Sequence, residues 1–262
     1  MKNGNRVKTT LQDFAMKKNH RSDHETSRHY AIIILAKTPE LQRSSPDEPY
    51  AALPWDDLDT LSAALIEDQI EQACQVQGAE VVLFFHTARP RDEFLRTFND
   101  RVHYIELSEK NFPHRFSHLS EYLASQPYQR VIVVFENYPL LSAQMFIKSF
   151  EHLGSEEEKI VVGQSDDGRC CYVGLRTPYH SFFSEIGQEL VDKPFGILSH
   201  ACRQNAILCP TQPLLSLTSG FHLAALRQMI DGMEEGNPVF PGHTANVFKM
   251  FDKKYKLRKP AS

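Results

Sequence analysis

Ala31-Ile-Ile-Ile-Leu-Ala36 is a continuous apolar run with three β-branched residues at its centre. A strand with one wet face alternates apolar and polar residues, whereas a strand covered on both faces reads as an unbroken apolar run. The run stops at Lys37-Thr38-Pro39, where proline fixes φ and removes a backbone donor. Val81-Val-Leu-Phe-Phe85 and Val131-Ile-Val-Val-Phe135 repeat the pattern, and Val102–Leu107, Lys159–Gly163 and Tyr172–Leu175 supply weaker strands.

Helical periodicity fills the intervals. Leu58, Leu61, Leu65, Ile66, Ile70 and Ala73 recur at helical spacing, with Asp56 or Asp57 as the expected cap and Gly78 as the expected stop. Further helices are predicted over Pro90–Phe98, His114–Ser125, Ser142–Leu153 (capped by Ser142) and Phe221–Met233, with partial helix in Tyr179–Ile186 and Lys193–Arg203. Pro238–Ala245 reads as a loop. Strands alternating with helices imply a Rossmann-like three-layer α/β/α fold with a mostly parallel sheet. Right-handed crossovers then gather the loops that follow strands on one edge, where such folds bind ligands.

The chain has 262 residues, enough to bury a large core, and its formal net charge of -4 gives no global reason to expect nucleic-acid binding. No apolar run approaches the roughly 20 residues that span a bilayer, and residues 1–28 lack a secretion signal's apolar stretch. A cytoplasmic protein is expected. Residues 1–28 read as a polar, mobile N-terminal extension, 29–250 as one domain, and 251–262 as a basic tail carrying Lys253, Lys254, Lys256, Arg258 and Lys259. The five cysteines show no metal-ligand spacing and are expected to be reduced and mostly buried.

Four groups at the predicted loop-facing edge carry chemistry. Lys37 and Arg43 follow the first strand, where two cations beside loop backbone suit a diphosphate; as plain surface cations they need no ligand. Glu136-Asn137-Tyr138-Pro139 follows the fourth strand, placing a carboxylate where a hydrated Mg²⁺ or Mn²⁺ would find oxygen ligands, or simply ending a strand before a turn. Asp166-Asp167-Gly168 follows the fifth, as acceptors for a sugar hydroxyl or metal-bound water, or as an ordinary β-turn. Arg115 opens a helix, where a cation opposes the helix dipole and invites either a functional role or an ion pair.

Ala36-Lys-Thr-Pro39, Phe112-Pro-His-Arg-Phe116, Asn137-Tyr-Pro139 and Gly163-Gln-Ser-Asp-Asp-Gly-Arg-Cys-Cys-Tyr-Val-Gly-Leu175 occur in order. Together they resemble the glycosyltransferase-like family known as domain of unknown function 2064, over roughly residues 30–227. The last stretch is the most specific part. The resemblance implies a glycosyltransferase A-type fold that holds a nucleoside diphosphate sugar and usually a divalent metal.

The same resemblance exposes departures. Lys37, Pro39 and Arg43 remain of the family's first loop, but Ser45-Pro46-Asp47 stands where it carries K-T-R. Asn137 stands at the family's metal-binding aspartate, and Ser216-Leu-Thr218 at its D-V-D segment. An amide ligates a metal without charge, so the implied divalent metal is weakened or lost. What the resemblance implies is transfer of a glycosyl or nucleotidyl group. Lys37, Arg43, Arg115 and Gly168 would then sit about the phosphates or support them, Glu136 or Asn137 near the metal, and Asp166 and Asp167 at the sugar or acceptor. The alternative is a degenerate fold acting as a nucleotide-binding or regulatory module. A hydrolase finds no nucleophile elbow or triad spacing.

Overall fold

The computed structural model describes residues 29–36, 53–85, 102–107, 114–135, 138–154, 159–176, 179–186, 190–191, 193–203, 207–211, 213–217 and 220–255. The expected N-terminal extension, the helix read over Pro90–Phe98, and the candidates Lys37, Arg43, Glu136 and Asn137 lie outside these residues.

Seven strands form one sheet: β1 (Tyr30–Ala36), β2 (Ala79–Phe85), β3 (Val102–Glu106), β4 (Arg130–Phe135), β5 (Lys159–Gln164), β6 (Cys170–Arg176) and β7 (Ile207–Pro210). Their spatial order is β3-β2-β1-β4-β6-β5-β7. β6 runs antiparallel to both β4 and β5, and every other pairing is parallel. The helices are α1 (Trp55–Cys74), α2 (Arg115–Ala124), α3 (Ala143–His152), α4 (Gly196–Arg203), α5 (Gly220–Asp231) and α6 (Gly242–Tyr255), with a 3₁₀ segment over Tyr179–Glu185.

Register explains how both faces are covered. Leu35 pairs with Phe84 and with Phe135, so these three side chains share a face. Phe116 and Tyr122 of α2 meet that face, edge-on to Phe135 and Phe84 at ring distances of 6.0 and 5.4 Å. Tyr172 pairs with Val134 and therefore points the other way, onto Phe146 of α3 and the Ser149 hydroxyl at 3.1 Å. The unbroken apolar runs of β1, β2 and β4 thus have partners on both sides, and the inner residues of all three are buried.

A second apolar cluster lies on the outer side of α1. Ile66, Ile70 and Ala73 of α1 join the main core, while Leu58, Leu61 and Leu65 pack with Leu223, Leu226 and Ile230 of α5 and Phe248 and Phe251 of α6. The helix therefore carries two apolar stripes, one facing the sheet and one facing the α5–α6 pair.

Several sequence expectations shift in the folded chain. α1 is capped by Pro54 without a side-chain bond, and Asp57 lies inside the helix. Gly78 has φ +79° in the turn entering β2, beyond the helix end at Cys74. Ser142 does cap α3, accepting from the Met145 N–H at 3.3 Å. The region read as a loop over Pro238–Ala245 contains the start of α6, and residues 251–255 of the expected tail are that helix's last turns, with Phe251 fully buried.

Candidate functional site

β1 and β4 lie side by side, yet the chain leaves β1 toward β2 and β3 on one side and leaves β4 toward β6, β5 and β7 on the other. This is the switch point of the sheet, the place where folds of this kind bind ligands. Leu35 and Phe135 are register partners at the carboxyl ends of the two strands. The residues next in sequence are Lys37, after Ala36, and Glu136-Asn137, after Phe135.

Tyr138, the next described residue, is buried. Its carbonyl accepts from Gln69 Nε2 of α1 at 3.2 Å, and its hydroxyl shares a hydrogen bond with Ser165 and lies within electrostatic reach of Asp167. Burial, with the nearby thiols and Asp167, pushes this phenol well above its usual range, so it acts as a neutral hydrogen-bonding group. The segment after β4 and the turn after β5 therefore meet.

That turn spans Ser165 to Arg169. Gly163 lies under the Tyr172 ring so closely that a Cβ there would overlap it, and the β5–β6 register shifts at Gly163/Gln164. A bulge of this kind bends a strand end and re-aims the residues beyond it. Asp167 Oδ1 accepts from the Ser165 hydroxyl and from the Arg169 N–H at 3.1 Å, and its Oδ2 lies 3.3 Å from Arg169 Nε. Asp166 Oδ1 accepts from the Asp167 N–H at 3.1 Å and from the Ser216 N–H at 3.2 Å. Gly168 has φ +81°, the left-handed conformation that favours glycine, and its carbonyl accepts from the Phe195 N–H at 2.8 Å.

The two aspartates therefore differ. Asp167 closes the turn with both oxygens, while Asp166 is exposed and keeps one oxygen without a partner among the described residues. Ser216, 1% exposed, has a hydroxyl with no partner among them. The Ser216 position, where the family likeness would place an acid, thus adjoins Asp166 even without a carboxylate.

Arg115 is buried at the start of α2 with its guanidinium 4.9 Å from the Phe116 ring centre. Because Phe116 packs against Phe135, this places Arg115 near the carboxyl end of β4. Cys170 and Cys171 are buried in β6 and pushed far up by that burial, so both are inert thiols.

The donor set bears on the expected metal. At the turn after β5 the described residues offer one uncommitted carboxylate oxygen, on Asp166, which by itself does not make a site for a divalent cation that wants six or more oxygens. A cluster with metal-ligand proximity does occur elsewhere, where ligand atoms of Asp68, Glu71 and His243 lie within 4.8 Å of one another at the α1–α6 seam. Asp68 already accepts the His243 and Thr244 N–H groups, each at 2.9 Å, so it caps α6. His243 lies between Glu67 and Glu71, 2.8 Å from each.

Sequence reasoning missed Tyr138, Ser165, Arg169 and Phe195. Tyr138, Ser165 and Arg169 lie inside the family-like motifs, so their signal was adjacency to Asn137, Asp166 and Gly168. Phe195 carried no signal.

Residues 69–188 match the family described as "Uncharacterized protein conserved in bacteria (DUF2064)". No curated protein sequence matches the chain. Among solved structures, a candidate nucleotide-diphospho-sugar transferase of Desulfovibrio desulfuricans G20 superposes with a TM-score of 0.67 at 13% identity, over 87% of this chain and 97% of that one. The Rv0371c homologue of Mycobacterium sp. strain JC1 gives 0.51 at 14%, over 85% and 98%. A cytidylyltransferase of Leptospira borgpetersenii serovar Hardjo-bovis gives 0.50 at 11%, over 89% and 99%. At such identities the likeness is one of fold, and the fold is that of the nucleotide-diphospho-sugar transferases. No helix among the described residues is long and apolar enough to cross a membrane.

Proposed function

We propose that this chain binds an activated nucleotide donor, a nucleoside diphosphate sugar, over the carboxyl ends of β1 and β4, and transfers its glycosyl group. The observation that carries the reading is the meeting of Tyr138 with the Ser165–Asp167 turn, which brings the segment after β4 and the turn after β5 to one edge. The transferase-type fold of the solved relatives supports it.

In this reading Lys37, Arg43 and Arg115 offset the diphosphate charge, which is the larger part of the task when phosphate leaves. Gly168 lets the turn backbone approach the ligand. The acceptor hydroxyl donates to the open oxygen of Asp166. The bond from the anomeric carbon to the diphosphate oxygen breaks, the acceptor oxygen bonds that carbon, and the hydroxyl proton passes to Asp166 and then to water. Asp167 positions Asp166 through the turn. Glu136 and Asn137 border the same edge in sequence, but no step of this scheme runs through a metal.

A second reading, binding without transfer, is favoured by Ser216, a neutral residue where the family likeness would put an acid. Both readings predict nucleotide binding, and turnover separates them. A ligand at 100 times its dissociation constant should stabilise the fold by about 2.7 kcal/mol. A thermal-shift series of nucleoside diphosphates and nucleotide sugars, with and without Mn²⁺, should contain at least one such ligand. Asp166→Asn should keep that shift and abolish sugar release if transfer occurs. If no nucleotide moves the melting temperature, the transferase and binding-module readings both fail.

A further inference from the structure

Phe195 is the single non-glycine residue with positive φ among the described residues, at +59°. For a bulky L-side chain this backbone conformation is a genuine outlier, one that persists only when something over-determines it. Burial does not, because Phe195 remains 58% exposed. Backbone bonding does not either: its N–H reaches the Gly168 carbonyl and its carbonyl accepts from Ser199 N–H at 2.8 Å, which a glycine would manage without strain. The ring itself is what the position retains. Its tip lies on Gly168, so closely that a Cβ at 168 would stand 3.1 Å from it.

Across the same turn stands Ser216. Its N–H holds Asp166, and its hydroxyl is buried with no partner among the described residues. A buried hydroxyl left unpaired is costly and calls for a partner. An exposed aromatic ring, an open carboxylate oxygen and an unpaired hydroxyl thus surround one glycine-centred turn.

From these three we infer that Phe195 is a stacking platform for the carbon face of a sugar ring, with Asp166 and Ser216 taking hydroxyls on that ring's rim. A sugar ring is amphipathic in this manner, its C–H face apolar and its edge ringed by donors. An aromatic ring on the same turn as two polar groups with open capacity offers the complementary chemistry. The inference rests on the transferase reading of the same turn and gives it a residue that selects a sugar acceptor, the hydroxyl on Asp166 being the one that attacks. Phe195 is then a specificity-determining contact, and Gly168 is glycine in part to let the ring lie down.

The test uses the whole chain and free hexoses and hexose 1-phosphates, followed by saturation-transfer NMR, with nucleosides and nucleoside diphosphates as separate arms. Phe195→Ala should weaken sugar binding by about tenfold or more, Phe195→Trp should stay within about threefold of the parent, and nucleoside diphosphate binding should not change. Phe195→Gly should melt at or above the parent temperature while losing the sugar, because it relieves strain and removes the platform. Sugars that fail to contact the parent protein, or that bind Phe195→Ala equally well, overturn the inference. So does a lower melting temperature for Phe195→Gly, which would make the ring structural. Loss of nucleoside binding in place of sugar binding would assign the ring to a base and overturn the sugar assignment. Failure of every nucleoside diphosphate to bind the parent sinks the transferase reading alone, since free sugars report on the platform without it.

Discussion

Asp68 at the α1–α6 seam and Asp166 at the β5–β6 turn both hold backbone N–H groups, but they are left in different states. Asp68 has both oxygens engaged by the first turn of α6. Asp166 has one oxygen engaged and one open among the described residues. The contrast extends to their surroundings. At the seam, His243 has a carboxylate at each ring nitrogen, and Asp57 receives Lys254 and Tyr255 from the far end of α6. At the turn, Ser216 keeps an unpaired hydroxyl and Phe195 a strained backbone. An aspartate whose two oxygens both hold a helix start works as a clasp, whereas one with an oxygen left over can take a ligand. On that contrast we read the seam as scaffold despite its metal-like proximity, and the turn as the proposed site.

Removing an apolar anchor of the seam should have the largest effect. Phe248→Ala empties a side chain that is 1% exposed and should cost about 3–5 kcal/mol in denaturant unfolding, with nucleotide affinity of the surviving folded protein unchanged. A large change in affinity at undiminished fold would break the distinction between clasp and site. Gly163→Ala should come next, because the added methyl would overlap the Tyr172 ring; about 1–3 kcal/mol is expected, together with loss of ligand binding as the turn is re-aimed. Asp68→Ala removes the α6 cap and should cost about 1 kcal/mol.

The seam should also respond to pH. Burial works against charging His243, but the hydrogen bond to Glu71 and the charges of Glu67, Asp68 and Glu71 outweigh it and hold the imidazole above its usual value. A raised histidine contributes its full stability below about pH 6.5 and loses it as pH climbs through the raised value. His243→Gln should therefore cost most near pH 6 and progressively less toward pH 8. With the ring 40% exposed, solvent screening keeps the whole effect under about 1 kcal/mol. A cost that is flat across this window would remove the ionic clasp from the account. Smallest of all, Ser216→Ala should lie within about 0.5 kcal/mol of the parent or stabilise it, since the hydroxyl it deletes has no partner among the described residues. Clear destabilisation would show that the hydroxyl is structural.

Much of the sheet was legible in the sequence because β1, β2 and β4 are buried on both faces and so need no alternation to be recognised. β7 was not, being four residues long and carrying a proline. The start of α6 was hidden for a related reason: Gly242-His-Thr244 lacks an apolar stripe, and its cap comes from Asp68, 175 positions away from His243. The candidate site was legible as motifs, since Asp166, Asp167 and Gly168 are contiguous. Their division of labour was not, because which aspartate closes a turn depends on hydrogen bonds to Arg169 and Ser216 rather than on spacing. Phe195 could not have been read at all, as its distinction lies in a backbone angle.

The most direct measurement is a backbone amide NMR titration of the whole chain with the nucleotide sugar that gives the largest thermal shift. Open capacity at the sheet edge predicts perturbations gathered on Tyr138, Ser165–Arg169, Phe195 and Ser216, with Glu67, Glu71 and His243 silent. Perturbations centred on the α1–α6 seam, or none at the turn while binding is evident, would contradict it.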